Sequence, residues 1–141
     1  MKASTRNVFR CTLTNVVQGA VSAEVTMDLA DGQTLSAIIT ERSAEDLGLA
    51  PGVEVFALIK SSFVILATGE APAAMSVRNR LAGAVAARTD GAVNSEIVLD
   101  LGGGRTMVAI VTLASAQEMN LKPGDRATAL IKASHIILAM P

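Results

Sequence analysis

Six hydrogen-bond donors recur in this sequence at a fixed spacing of 72 residues: Ser4 with Ser76, Arg6 with Arg78, Thr40 with Thr112, Ser43 with Ser115, Lys60 with Lys132 and Ser62 with Ser134. All are hydroxyls or cations. Thr40 to Ser43 marks the passage from a β-type stretch into a short helical one, where free backbone N–H groups and the helix dipole favour an anion. Lys60-Ser61 closes a second β-type stretch and brings an ammonium, a hydroxyl and turn amides together. A compact oxyanion is the natural ligand for such a set. The structural alternative is that Ser43 caps its helix, Lys60 lays its stem along apolar surface and Arg6 is a solvated edge charge.

No other constellation points to chemistry. His135 is the only histidine, and Phe63 stands 72 residues before it, so a role common to both halves cannot depend on an imidazole. Cys11 is matched by Gly83 and reads as a small buried thiol. The repeated carboxylates Asp28 and Asp100, Glu24 and Glu96 fall on the polar side of a strand, where solvation explains them. Gly102-Gly103-Gly104-Arg105 lacks the Lys-Ser/Thr ending of a phosphate loop and aligns with the turn Ala30-Asp31-Gly32, so it reads as a hairpin loop. Catalysis is not expected.

These donors must be positioned by a duplicated fold. Sliding the chain by 72 residues pairs Ser4–Thr68 with Ser76–Met140 without a gap, and about 27 of roughly 65 pairs are identical. That period exceeds the ~20–50 residues of solenoid repeats, so each copy predicts a small domain, residues 1–68 and 76–141 joined by a short linker 69–75. In copy one, Arg6 to Val17 predicts a strand, followed by a Gln18-Gly19 turn. Ala20 to Leu29 predicts a second, because Val21, Ala23, Val25, Met27 and Leu29 alternate with polar residues. Asp31-Gly32 turns the chain into a third strand, Gln33 to Thr40, and Ser43 to Gly48 predicts a short helix with Ser43 as its N-cap. After the Ala50-Pro51-Gly52 turn come strands at Val53–Lys60 and Phe63–Thr68. Copy two repeats the order, which predicts a mainly β chain of two tandem five-stranded domains, each an OB-like barrel or a sandwich with one short helix.

Half of the 141 residues are hydrophobic and 18% are charged, more apolar surface than two small cores can bury, which predicts a homo-oligomer. Exchange of a first strand between neighbours would also absorb that surplus. The net charge of −1 and an aromatic content of 2% argue against a nucleic-acid partner. One cysteine excludes an intrachain disulfide, and neither a leader nor an apolar run of membrane-spanning length is found, so a cytoplasmic location is expected.

The opening Ser76-x-Arg78-Asn79-x-Leu81-x-Gly83-x-Val85, with the Leu49-x-Pro51-Gly52 turn and the Ala57-Leu58-Ile59-Lys60 strand end, resembles the signature of the molbindin (Mop) domain family. Two such domains in one chain resemble the di-Mop molybdate-binding proteins. The resemblance implies OB-like domains that hold molybdate or tungstate at domain and subunit interfaces, homotrimers, and a storage or homeostasis role without catalysis. Carried over by position, it implies ligands at Ser4, Arg6, Thr40, Ser43, Lys60 and Ser61, and at Ser76, Arg78, Thr112, Ser115, Lys132 and Ala133. Ala133 lacks the hydroxyl of Ser61, and Phe9 and Cys11 depart from the Leu and Gly of the motif. A second, axial class of oxyanion site near Asn7, Gly19, Asn79 and Gly91 is a further expectation, since a trimer axis would gather three copies of each donor. A sensing module that acts on a protein partner is the alternative. The lack of a DNA-binding or ATPase segment favours the free-standing binder.

Overall fold

The computed structural model describes residues 1–30, 32–70 and 74–141. Asp31 of the expected Asp31-Gly32 turn, and residues 71–73 of the expected linker, lie outside them. The elements follow the order read from the sequence. Copy one contains β1 (Asn7–Gln18), β2 (Ser22–Ala30), β3 (Gln33–Thr40), α1 (Glu41–Asp46), β4 (Glu54–Ile59), a 3₁₀ turn (Ser61–Phe63) and β5 (Ile65–Ala67). Copy two contains β6 (Asn79–Asp90), β7 (Asn94–Gly102), β8 (Arg105–Thr112), α2 (Leu113–Glu118), β9 (Arg126–Ile131), a 3₁₀ turn (Ala133–His135) and β10 (Ile136–Ala139). Among the described residues, no helix is long and apolar enough to cross a membrane.

The repeats and the compact units do not coincide. One unit comprises Met1–Ile59 with Lys132–Pro141, and the other Lys60–Ile131. The first holds an antiparallel sheet ordered β10-β4-β1-β2-β3, and the second a sheet ordered β5-β9-β6-β7-β8. The two repeats of this chain have therefore exchanged their last strands. Register explains why this is permitted. Ile136, Ile137, Leu138 and Ala139 pair with Ile59, Leu58, Ala57 and Phe56. Ile65, Leu66 and Ala67 pair with Leu130, Ala129 and Thr128, the same register displaced by one repeat. Since Ile65-Leu66-Ala67 and Ile137-Leu138-Ala139 are identical, either segment can present the same three residues to either sheet edge.

Within each unit the inward faces make the core. Val25, Met27, Leu35, Ala37, Val55, Ala57 and Ile59 are fully enclosed in the first unit, and Ile97, Leu99, Met107, Ala109, Ala129 and Ile131 in the second. The period-two alternation of β2 and β7 is what puts these residues on one face. Glycine is required at Gly83, where a Cβ would stand 2.5 Å from the Asp100 carbonyl oxygen. At the aligned position of copy one the strand accommodates Cys11, which is buried, with Sγ 3.5 Å from the Phe9 carbonyl oxygen.

The second unit carries a polar clamp that the first lacks. Arg88 donates from Nε and Nη2 to the two carboxylate oxygens of Asp90 at 2.8 and 3.1 Å, and from Nη1 to the carbonyls of Leu121 at 2.8 Å and Ala116 at 3.3 Å. Ser95, fully buried, donates to Asp90 Oδ1 at 2.7 Å. The clamp ties the β6–β7 hairpin to the C-terminal end of α2, whose last carbonyls have no partner within the helix. Copy one has Val16, Gln18 and Ala23 at the three aligned positions and cannot form it.

The hydrogen bonds from Arg88 and then Ser95 hold the Asp90 carboxyl below its ordinary value. A depressed folded value means that its contribution is complete above the unfolded pKa of about 3.9 and is lost as pH falls through the lower folded value. We expect the urea midpoint of the wild type to fall more steeply below pH 4 than that of Asp90→Asn. Parallel profiles would show that the clamp does not couple to folding.

Candidate functional site

Each unit presents a hydroxyl pair where its third strand enters its helix. Thr40 is extended (φ −68°, ψ 147°) and caps α1: Oγ1 accepts from the Ser43 N–H at 3.1 Å and donates to Ser43 Oγ at 2.8 Å. Thr112 does the same for α2, with 3.1 Å to the Ser115 N–H and 2.7 Å to Ser115 Oγ. The cap is thus the threonine, not Ser43 as the sequence suggested. Both residue types cap helices well, and the chain becomes helical at Glu41, two residues earlier than expected. The bond that Thr40 and Ser43 share uses one of the two hydroxyl hydrogens, and the other is left for an outside acceptor.

The lysine-bearing turns come to these pairs crosswise. The 3₁₀ turn Ala133–His135 packs on β3, and the turn Ser61–Phe63 packs on β8. The first unit therefore combines Thr40 and Ser43 with the Lys132-Ala133-Ser134 turn, and the second combines Thr112 and Ser115 with the Lys60-Ser61-Ser62 turn. In the first unit Thr40, Ser43 and Ser134 open onto one groove of about 640 Å³ between the edge strands β3 and β10. Ser22 and Asp46 line it as well, and Ile38, Ile137 and Leu138 form its apolar side. Ser134 was legible as a repeated hydroxyl but was not in the ligand set carried over by position. Ala133, which was, is buried and offers no side-chain donor.

Both turns begin with an exposed lysine in extended backbone. The Lys60 ammonium rests over the Phe63 ring at 5.4 Å from its centroid, a cation–π contact that keeps the side chain near its own turn. At the aligned place in copy two stands His135, half-buried, whose backbone N–H donates to the Lys132 carbonyl at 2.9 Å.

The openings of the repeats are fixed at the ends of other strands. Thr5 Oγ1 donates to the Ile59 carbonyl at 2.6 Å and accepts from the Asn7 N–H at 3.2 Å, which places exposed Ser4 and Arg6 beside the end of β4. Asn79 Nδ2 donates to the Ile131 carbonyl at 3.1 Å, which places Ser76 and Arg78 beside the end of β9. None of these four lines the groove of the first unit. Asn7 and Asn79 are buried, and the N–H groups of Gly19 and Gly91 donate across their turns to Ser22 and Asn94 at 2.9 and 2.7 Å.

Two differences make the sites chemically unequal. The turn in the second unit has Ser61 where the first unit's turn has Ala133. The residue after the cap is Leu113 in the second unit, whereas in the first it is Glu41, one carboxylate oxygen of which is buried without a hydrogen-bond partner. An acceptor-only group next to the Thr40–Ser43 pair opposes an incoming anion. Among the described residues, no group of three or more His, Cys, Asp or Glu side chains could hold a metal cation.

Residues 3–66 and 75–138 each match the TOBE domain family. The chain is 61% identical over 141 residues to the molybdenum-pterin-binding protein MopA of Rhodobacter capsulatus, a match that covers 100% of this chain and 53% of that protein. It is 43% identical over 140 residues to the molybdenum transport protein ModE of Azotobacter vinelandii, covering 99% of this chain and 52% of that protein. The chain thus spans about half the length of the curated relatives it matches. A crystal structure of the cytoplasmic molybdate-binding protein ModG with molybdate bound matches with a TM-score of 0.97 at 45% identity and covers 100% of both chains.

The capping assignment can be checked directly. Thr40→Val and Thr112→Val each remove a helix cap and should cost about 1 kcal/mol in urea unfolding, whereas Ser43→Ala leaves the cap in place and should cost less than ~0.5 kcal/mol. An equal loss from Ser43→Ala would return the capping role to the serine.

Proposed function

This chain belongs to the TOBE-domain family as a tandem pair of such domains, in line with its resemblance to molbindins, and from that premise we propose that it binds molybdate or tungstate for storage and homeostasis in the cytoplasm, without catalysing a reaction. The observation that carries the reading is the doubled Thr-x-x-Ser pair, each with a Lys-bearing turn packed on the strand that leads into it. The molybdenum-pterin binding of MopA, the molybdenum transport role of ModE and the molybdate binding of ModG support the choice of anion.

A tetrahedral oxyanion only accepts hydrogen bonds, so a site for it must collect donors and a compensating charge. In the second unit these are Thr112 and Ser115, the Ser61 and Ser62 hydroxyls and the Lys60 ammonium. In the first unit they are Thr40, Ser43, Ser134 and Lys132, with the Ala133 amide in place of a serine hydroxyl. Ser4, Arg6, Ser76 and Arg78 stand beside other strand ends and complete the sites across an interface in a homotrimer, where the guanidinium groups add charge that offsets desolvation. The axial class, at Asn7, Gly19, Asn79 and Gly91, remains part of the proposal as a weaker set, because its glycine N–H groups already donate within the turns. Exposed apolar residues such as Val17, Val21, Val93 and Ile137 supply surface for assembly.

A second reading is favoured by one observation, the half-length coverage of the curated relatives. In it these domains are the sensing part of a longer regulator. Partner binding that appears only with molybdate would select that reading.

We expect molybdate and tungstate to raise the melting temperature, by the equivalent of about 2.7 kcal/mol at one hundred times the dissociation constant, while equal sulfate does little. Equal shifts from all three anions would indicate a salt effect. Calorimetric titration should resolve two affinities, with the stronger sites weakened tenfold or more by Lys60→Ala and the weaker by Lys132→Ala. Ser61→Ala should narrow the gap between them. Unchanged affinities in both lysine variants would remove the turns from the site.

A further inference from the structure

The outer face of the second unit contains a hollow that the first unit fills. In the first unit Arg10 and Glu54 form an ion pair across β1 and β4, with Nη2 to Oε2 at 2.8 Å, and register sets Thr12 opposite Glu54 and Phe56 opposite Arg10. The Arg10 bond holds the Glu54 carboxyl below its ordinary range. At the aligned positions of the second unit stand Ala82 for Arg10, Ala84 for Thr12, Arg126 for Glu54 and Thr128 for Phe56. The register is the same, with Ala84 opposite Arg126 and Ala82 opposite Thr128.

Three of these four changes shorten the side chain, and the fourth reverses its charge. What remains is a pocket of about 280 Å³ lined by Ala67, Gly69, Ala82, Arg126, Ala127 and Thr128. Arg126 is exposed at it, and among the described residues no carboxylate pairs with its guanidinium. The adjacent acid, Asp125, is turned to its own loop, where it accepts from the Lys122 N–H at 3.1 Å and lies 3.4 Å from the Lys122 ammonium. A planar five-donor fork lining one hollow with Ala67 and Ala82 matches a carboxylate on a short stem: the fork binds two oxygens and the small side chains leave room for the methylenes.

We propose that this hollow is a docking site for an acidic side chain of a partner protein, with Arg126 as its anchor and Thr128 as a second donor. The first unit supplies the template, since there the same face satisfies its cation with Glu54 from within the chain. The hollow falls at the lower limit of ligand pockets, which suits one side chain of a peptide and not a drug-sized molecule. It lies within the second unit and neither Thr112, Ser115 nor Lys60 lines it, so its occupation does not depend on the oxyanion reading.

The test uses the full chain in its native assembly and an acetylated, amidated tetraglutamate peptide, with tetraglutamine and inorganic phosphate as comparisons. Tetraglutamate should shift the amide resonances of Ala82, Ala127 and Thr128 saturably, and Arg126→Gln should weaken it at least tenfold. The double variant Ala82→Arg with Arg126→Glu installs the pair that the first unit already tolerates, so it should fold normally and abolish binding. Equal titration of wild type and double variant, no saturable shift, or saturation by phosphate but not by the peptide would each overturn the assignment.

Discussion

The structure depends on one equivalence: two short strands of identical sequence, Ile65-Leu66-Ala67 and Ile137-Leu138-Ala139, each pair in the same register with the fourth strand of the other repeat. Because the exchange preserves the cross-strand neighbours of these three residues, it keeps the pairing of each sheet edge there and alters which covalent segment supplies it. The lysine-bearing turn precedes the exchanged strand and travels with it. Hence each Thr–Ser pair meets the turn of the other repeat, and a substitution in one copy is felt at the site of the other.

Local features of the sequence carried most of the fold. Alternation in Ser22–Ala30 and the glycine-bearing turns gave the strands to within about two residues, because burial of one sheet face leaves a period-two record. The exchange left no such record. When aligned residues are identical, sequence cannot distinguish a strand that folds back on its own sheet from one that completes the neighbour's. The donors that make the cradles were visible as repeated residue types, but their grouping was not, since it follows the exchange. The N-cap was misplaced for a simpler reason, two competent caps three residues apart, decided in favour of Thr40 by where β3 ends.

Divergence between the copies is concentrated in long-range polar contacts. Arg88, Asp90 and Ser95 bind a helix end in one unit, while Arg10 and Glu54 pair on the outer face of the other. Neither arrangement could be read from local sequence, because each joins side chains from separate strands or a helix end. The apolar interiors stayed largely alike, as close packing demands, although buried positions such as Cys11 against Gly83 and Ala23 against Ser95 also differ.

The exchange also orders events during synthesis. β4 is made early, but its partner β10 is encoded roughly 77 residues later, after all the other strands of both units. Until then the hydrogen-bonding edge of β4 is unpaired, and β5, which could occupy it in the same register, emerges first. During synthesis β5 therefore competes for the β4 edge before β10 exists, and the finished pairing requires that β10 win that competition.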